Sequence, residues 1–442
     1  MHSPDVIVVG AGCAGLAAAT RLAEQGAQVL VFEARPTVGG RATAFTDPAT
    51  GERVDNGQHV LLGCYRDTFT FLDRIGARDR VQLQDRLGVD MIDDDGRASR
   101  LSCPSIAPPF NLLAGLMTWS ALTWRDKLAA VRLGRRFTAR HDETVRQWLV
   151  RRHQTPRLIE MLWQPLAIAA LNQSIDVAAA APFARVLTEM LGGDPHDASI
   201  AVPLTPLDQM YALPACDYIA RHGGEVRTNS PATIACGGAS SQRGADLSGP
   251  RVTVRDETYT ARHVICAVPW FALPDVLVEP PTALHPVVDA ARRTAASPIV
   301  TVNVWLDRVV TEQALVGLPG RTMQWVFDKR RVFGEQASHL SLVSSGAEKV
   351  VAKGNDELID LALREIKEAI PAARAAVLRR AVVVREKHAT FSLAPGQPPR
   401  PTTRTAVAGL LLAGDWIDTG LPATIESAVR SGHMAASLAV NP

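Results

Sequence analysis

Lysine is nearly missing from this chain of 442 residues: only 6 of its 47 basic side chains are lysine. The arginine excess reads as GC-rich coding rather than as phosphate chemistry. Cysteine is sparse too. The six cysteines, at 13, 64, 103, 216, 236 and 266, form no Cys-x-x-Cys pair, and no histidine stands at metal-ligand spacing. That argues against a zinc site and against a disulfide framework. Neither sign of charge dominates, and a formal net charge of +2 gives no bulk electrostatic case for nucleic acid. A first strand expected near Asp5 leaves no room for a charged and apolar leader, so the expected compartment is cytosolic and reducing.

What the chain does have is 47% hydrophobic and 21% charged residues, a globular composition with length enough for two domains around one cleft. "DVIVVG", "CAGLAAATRLAEQG" and "QVLVFE" (residues 5–33) read as strand, helix and strand, a βαβ unit. Strands are expected again at 223–235 and 259–269, and a strand followed by the helix "ATIESAVRSGHMAASLAV" closes the chain. The expected fold class is α/β. A Rossmann-like nucleotide-binding domain would be assembled from 1–85, 205–270 and 400–442, with an α+β substrate domain inserted as 86–204 and 271–399. The segment "SSQRGADLSGPR" (240–251) reads as a surface hairpin connection.

Gly10, Gly12 and Gly15 form G-x-G-x-x-G between the first strand and the first helix. The first two glycines permit a sharp turn and a close backbone approach to a pyrophosphate. The third allows tight helix–strand packing, and the helix N-terminus adds partial positive charge. Glu33 ends the second strand, where a carboxylate can accept from both hydroxyls of an adenosine ribose and would repel a 2′-phosphate. Arg35 then reads as a solvated neighbour. These residues alone admit NAD or FAD.

The continuation "ARPTVGGRA" (34–42) resembles the second motif of the FAD-dependent amine oxidase and phytoene desaturase superfamily. That resemblance implies FAD, with Ala14 and Ala34 beside the dinucleotide, Gly39 and Gly40 keeping the loop close to it, and Arg41 donating to a phosphate. "LLLAGDWIDTGLPATIESAVRSG" (410–432) resembles the closing motif of the same superfamily. It implies Gly414 and Asp415 at the ribityl-phosphate end and Thr424 and Ile425 at the flavin ring, where a helix N-terminus stabilises negative charge on reduced flavin. In "VRTNSPATI", Ala232 falls where a superfamily residue pairs with adenine through its backbone.

Two features argue against amine oxidation. The stretch before Glu426 (Leu421, Pro422, Ala423, Thr424) holds no aromatic cage residue, and no lysine occurs between Lys127 and Lys329, where the amine oxidases' lysine would fall. "VDNGQHVLLGCYRDTF" (54–69) resembles the carotenoid desaturase branch. With 203–227 and the closing motif, it is most similar to the bacterial hydroxysqualene dehydroxylases. The implied reaction is reductive removal of an allylic hydroxyl from a long apolar isoprenoid, in a pocket kept free of water. The expected proton donors are His59 and Asp55; in the competing reading Asp55 only orders the loop and Gln58 and His59 contact flavin through their backbone, and Gly57 and Gln58 are expected to bind the cofactor.

An apolar stretch at 106–124 with Trp119 and Trp124 precedes Arg125, Lys127, Arg132, Arg135 and Arg136. Its Pro108, Pro109 and Asn111 suit a peripheral membrane-facing segment (106–136) better than a span, and an ordinary core segment is the competing reading. Two alternatives stay open on the same fold: an oxidative carotenoid desaturase, and a non-enzymatic prenyl-lipid carrier without an intact flavin site. No second dinucleotide motif occurs, so the sequence names no electron donor.

Overall fold

The computed structural model describes residues 4–134, 137–140, 142–236 and 249–440. A five-stranded parallel sheet is built in the order Glu225–Arg227, Val29–Phe32, Val6–Val9, His263–Cys266, Leu410–Leu412. Its strands come from distant parts of the chain. Val6 pairs with Val29 on one side and His263 on the other, and Val264 pairs with Leu410. All four residues of Val6–Val9 and of Val29–Phe32 are buried, as both-face coverage of a parallel sheet requires. The helices Cys13–Glu24 and Ile425–Val440 pack on each other against this sheet.

A seven-stranded sheet runs in the order Leu378–Phe391, Ala296–Leu306, Ser338–Ser345, Trp325–Asp328, Leu315–Gly317, Gly88–Ile92, Ala98–Ser102. Its edge hairpin therefore comes from far earlier in the chain than its other strands. The helix Asn355–Ala369 buries Leu358, Ala362, Ile366 and Ala369, a stripe at helical spacing that packs with Val300, Val302 and Val304.

Two local readings are sharpened, and a third falls largely outside the described residues. The expected strand over 223–235 divides between two sheets, because Ala232–Cys236 leaves the parallel sheet to pair antiparallel with Pro250–Val254. Most of the expected hairpin connection at 240–251 lies outside the described residues. The apolar stretch 106–124 is broken into the helix Phe110–Thr118, a turn that buries Trp119, and the helix Trp124–Arg132, started by a Thr123–Asp126 capping box. Among the described residues no helix is long and apolar enough to cross a membrane.

Candidate active site

One cavity of about 530 Å³ gathers most of the residues singled out in the sequence. Gly10, Gly12, Ala14, Glu33, Ala34, Gly40, Arg41, Gly57, Gln58, His59, Ala232, Gly414, Asp415, Thr424 and Ile425 all line it. Gly15 does not, and the reason is packing: a Cβ there would sit 1.9 Å from the Gly10 carbonyl oxygen. Gly10 has φ +106°, and its Cβ would meet the Ala267 carbonyl oxygen at 2.8 Å. A side chain fits neither position.

Two backbone loops face each other in this wall. Gly40 has φ +61°, and its Cβ would lie 3.2 Å from the Gly12 Cα. Tyr211 holds the second loop, with its hydroxyl 2.7 Å from the Gly39 carbonyl and 2.8 Å from that of Ala42. Sequence reading passed over Tyr211 because it acts from 169 or more residues away. Glu33 is buried, and its carboxylate accepts from Ala11 N at 2.8 Å and from Arg35 N at 3.0 Å. Arg41 pairs with Asp415 at 2.5 Å and donates to the Ala389 carbonyl at 2.8 Å. The cradle fits an anionic dinucleotide: narrow glycine loops, a helix N-terminus at Cys13, and a guanidinium that a phosphate could recruit.

Elsewhere the lining is mostly apolar, with Asn172, Ser345, Glu386 and Thr390 among its polar residues. It includes Leu87, Val89, Met91, Leu101, Leu112, Leu162, Leu166, Leu187 and Met190, with Trp163, Trp325 and Phe327. The Trp163 indole N–H is already committed to Gln154 Oε1 at 2.9 Å.

The DNGQH segment is where structure and sequence reading part. Asp55, expected as a proton donor, is buried and does not occur among the described residues that line the cavity. One of its oxygens accepts from Leu207 N at 3.0 Å, and the other meets the Lys329 ammonium at 3.1 Å. These contacts are those of a residue that orders the loop, the competing reading of Asp55. Lys329 is itself 1% exposed, also hydrogen-bonds Gln58 Oε1, and lies 4.0 Å from the Phe333 ring centroid. The sequence search placed its lysine-free interval between Lys127 and Lys329; the fold returns the second of those residues to the site. Its one sequence signal was a rare lysine directly after the apolar strand Trp325–Asp328.

His59 lines the cavity, with Nδ1 2.7 Å from the Gly57 carbonyl. A carbonyl only accepts, so Nδ1 carries the proton in that bond and Nε2 of the neutral ring is bare. Burial lowers the imidazole pKa below its ordinary 6.5, and the Gly57 carbonyl and Asp55 only partly oppose that. At neutral pH, then, His59 is first an acceptor, whereas the sequence reading cast it as an acid.

Glu426, on the first turn of the C-terminal helix, is buried and accepts from Asp67 N, Thr68 N and Thr68 Oγ1 at 2.7–3.0 Å. It thereby caps the helix Arg66–Arg74 and ties it beside Thr424 and Ile425. Away from the cavity, Glu52, Glu335 and His339 bring three possible ligand atoms within 4.8 Å of one another. Hydrogen bonds already engage them: Trp305 Nε1 donates to Glu52, and His339 Nδ1 lies 2.9 Å from Glu335.

Residues 13–440 match the model of the flavin containing amine oxidoreductases. The chain belongs to that family. As a member of it, the protein is an FAD-dependent oxidoreductase, and the dinucleotide that suits the glycine cradle is FAD. The chain is 30% identical to hydroxysqualene dehydroxylase of Rhodopseudomonas palustris, covering 99% of this chain and 98% of that one. It is 29% identical to the Zymomonas mobilis enzyme of the same name, over 98% of each. A 15-cis-phytoene desaturase of an Oncidium hybrid is 25% identical over 99% of this chain and 78% of its own. Among solved structures, putrescine oxidase superposes with a TM-score of 0.72 at 19% identity, over 99% of both chains. Cyclohexylamine oxidase from Brevibacterium oxydans gives 0.69 at 19% identity, over 100% and 99%. These two likenesses concern the fold alone.

Proposed function

We propose that this flavoenzyme removes the hydroxyl of hydroxysqualene reductively and releases squalene. The observation that carries the reading is the cavity. A glycine-lined dinucleotide cradle shares one enclosure with an apolar wall in which Gln58 and His59 are placed. Relatives named for that reaction match nearly the whole chain.

Bound reduced FAD supplies a hydride to the carbon that loses oxygen. The protein's own residues do the rest. The leucine, methionine and tryptophan wall excludes water that would trap an allylic cation. The oxygen must leave as water, which needs one proton. A His59 ring that is neutral at pH 7 supplies it only from its protonated fraction. The single-turnover rate is therefore expected to rise as pH falls below 6.5, the imidazole's ordinary value.

The deciding experiment is anaerobic mixing of the reduced protein with hydroxysqualene, following flavin reoxidation and squalene. His59→Ala should keep its FAD, slow that reaction about 10²-fold or more, and flatten the pH profile. An unchanged rate would remove His59 from the chemistry. Product analysis with phytoene separates the desaturase reading: oxidation of phytoene, with hydroxysqualene untouched, would replace the present proposal.

A substrate with so little water solubility has to be drawn from lipid. Ile106, Phe110, Met117, Trp124, Leu128 and Val131, on the helices Phe110–Thr118 and Trp124–Arg132 and the segment before them, are 46–66% exposed, and Arg125, Lys127 and Arg132 lie on the second of these helices. Leu112, from the first of these helices, lines the cavity. This face is read as a monotopic contact with an anionic leaflet, apolar side chains in the interface and basic ones on headgroups. In flotation, the protein is expected to rise with anionic liposomes, and Phe110→Asp with Trp124→Asp to leave it in the dense fraction. Wild-type protein that stays down with both anionic and neutral liposomes would end the membrane reading.

A further inference from the structure

We propose that Lys329 is a positioning residue that turns the Gln58 amide so that its N–H faces the cavity beside the bare Nε2 of His59, and that this donor–acceptor pair recognises the substrate hydroxyl. The inference rests on the reading above and adds a specificity site to it. An ammonium group can only donate, so the Gln58 oxygen bound by Lys329 must be Oε1, and Nε2 is left pointing elsewhere. One Gln58 N–H reaches the His59 carbonyl at 3.4 Å, a long contact, and the other takes no protein partner among the described residues. His59 is fixed in the opposite sense by its Nδ1 contact with Gly57.

A hydroxyl offers one hydrogen and two lone pairs, which is the complement of this pair. A hydrocarbon offers neither. Lys329 can serve this purpose because its charge is balanced where it lies, by Asp55 at 3.1 Å and the Phe333 ring at 4.0 Å, behind the wall rather than in it. The direction of the Gln58 amide is thus set by a residue that does not line the cavity.

The test compares hydroxysqualene with squalene, ligands of one chain length, binding to the oxidised holoenzyme and followed by perturbation of the flavin spectrum. Wild type is expected to favour the alcohol by about tenfold or more. Gln58→Leu should abolish that preference, bringing the alcohol-to-squalene affinity ratio to about one. Lys329→Met should shift the ratio the same way, and if that protein fails to fold, Gln58→Leu carries the test. General damage would weaken both ligands and leave the ratio intact. A Gln58→Leu protein that keeps the wild-type preference overturns the proposal. Turnover separates this inference from the reaction assignment. A Gln58-dependent alcohol preference without dehydroxylation would retain the pair and remove the reaction, and dehydroxylation without the preference would do the reverse.

Discussion

Lys329→Met is expected to lower the unfolding free energy by about 3–5 kcal/mol, the cost of leaving one member of a buried ion pair uncompensated. The side chains of Lys329 and Asp55 are 1% and 2% exposed, so water cannot take over the Asp55 charge when the ammonium is removed. The loss spreads beyond the pair. Asp55 ends the strand Arg53–Asp55 and accepts from Leu207 N, and Lys329 begins the helix Lys329–Phe333. Two contacts of Asp55 therefore tie three segments together beside the cavity. Adding Asp55→Leu to Lys329→Met should recover a large part of the loss, because a neutral buried pair carries no desolvated charge. Thermal and denaturant unfolding of the single and double variants measure this. A single-variant loss below about 1 kcal/mol would mean that solvent reaches the pair.

Gly432→Val should yield a protein that purifies largely without flavin. A Cβ at Gly432 would lie 2.2 Å from the Ala14 carbonyl oxygen and 3.1 Å from Ala18 N, so the C-terminal helix sits directly on the backbone of the first helix. Neither backbone can yield locally. A valine must push the helices apart, with an overpacking cost of about 1–3 kcal/mol. Ala14 on one helix and Ile425 on the other line the cavity, with Thr424 immediately before the second, so the separation is transmitted to both ends of the cradle. Met434→Val, at a 38% exposed position on the same helix, should retain the cofactor and serves as the control. Flavin absorbance per protein after gel filtration reads both. A fully flavinated Gly432→Val protein would show that the two helices can reseat without disturbing the site.

The two predictions draw on different layers of information. Gly432 stood inside a motif legible from the sequence, but its contact with Ala14 is a fact of helix packing. Lys329 was the boundary of an interval noted only for lacking lysine. No local pattern links it to Asp55, because the pair is separated by 274 residues. Tyr211 and Glu426 escaped notice for the same reason: each hydrogen-bonds backbone groups remote in sequence. The apolar stretch 106–124 shows the limit of hydropathy, since Trp119 at 1% and Trp124 at 66% exposure are indistinguishable in a linear reading.

By itself the sequence determined the parallel βαβ framework and FAD, and it singled out residues that the fold brings to one cavity. Those follow from short-range constraints: the φ values and close approaches that only glycine allows, the place of Glu33 at a strand end, and a helix start that favours negative charge. Tertiary structure alone decided the partners of the DNGQH loop. It placed Asp55 against Lys329, gave the Gln58 amide its direction and left His59 Nε2 bare. Whether a polar group is donor, acceptor or anchor depends on the partner that folding brings to it, and here those partners come from chain far away.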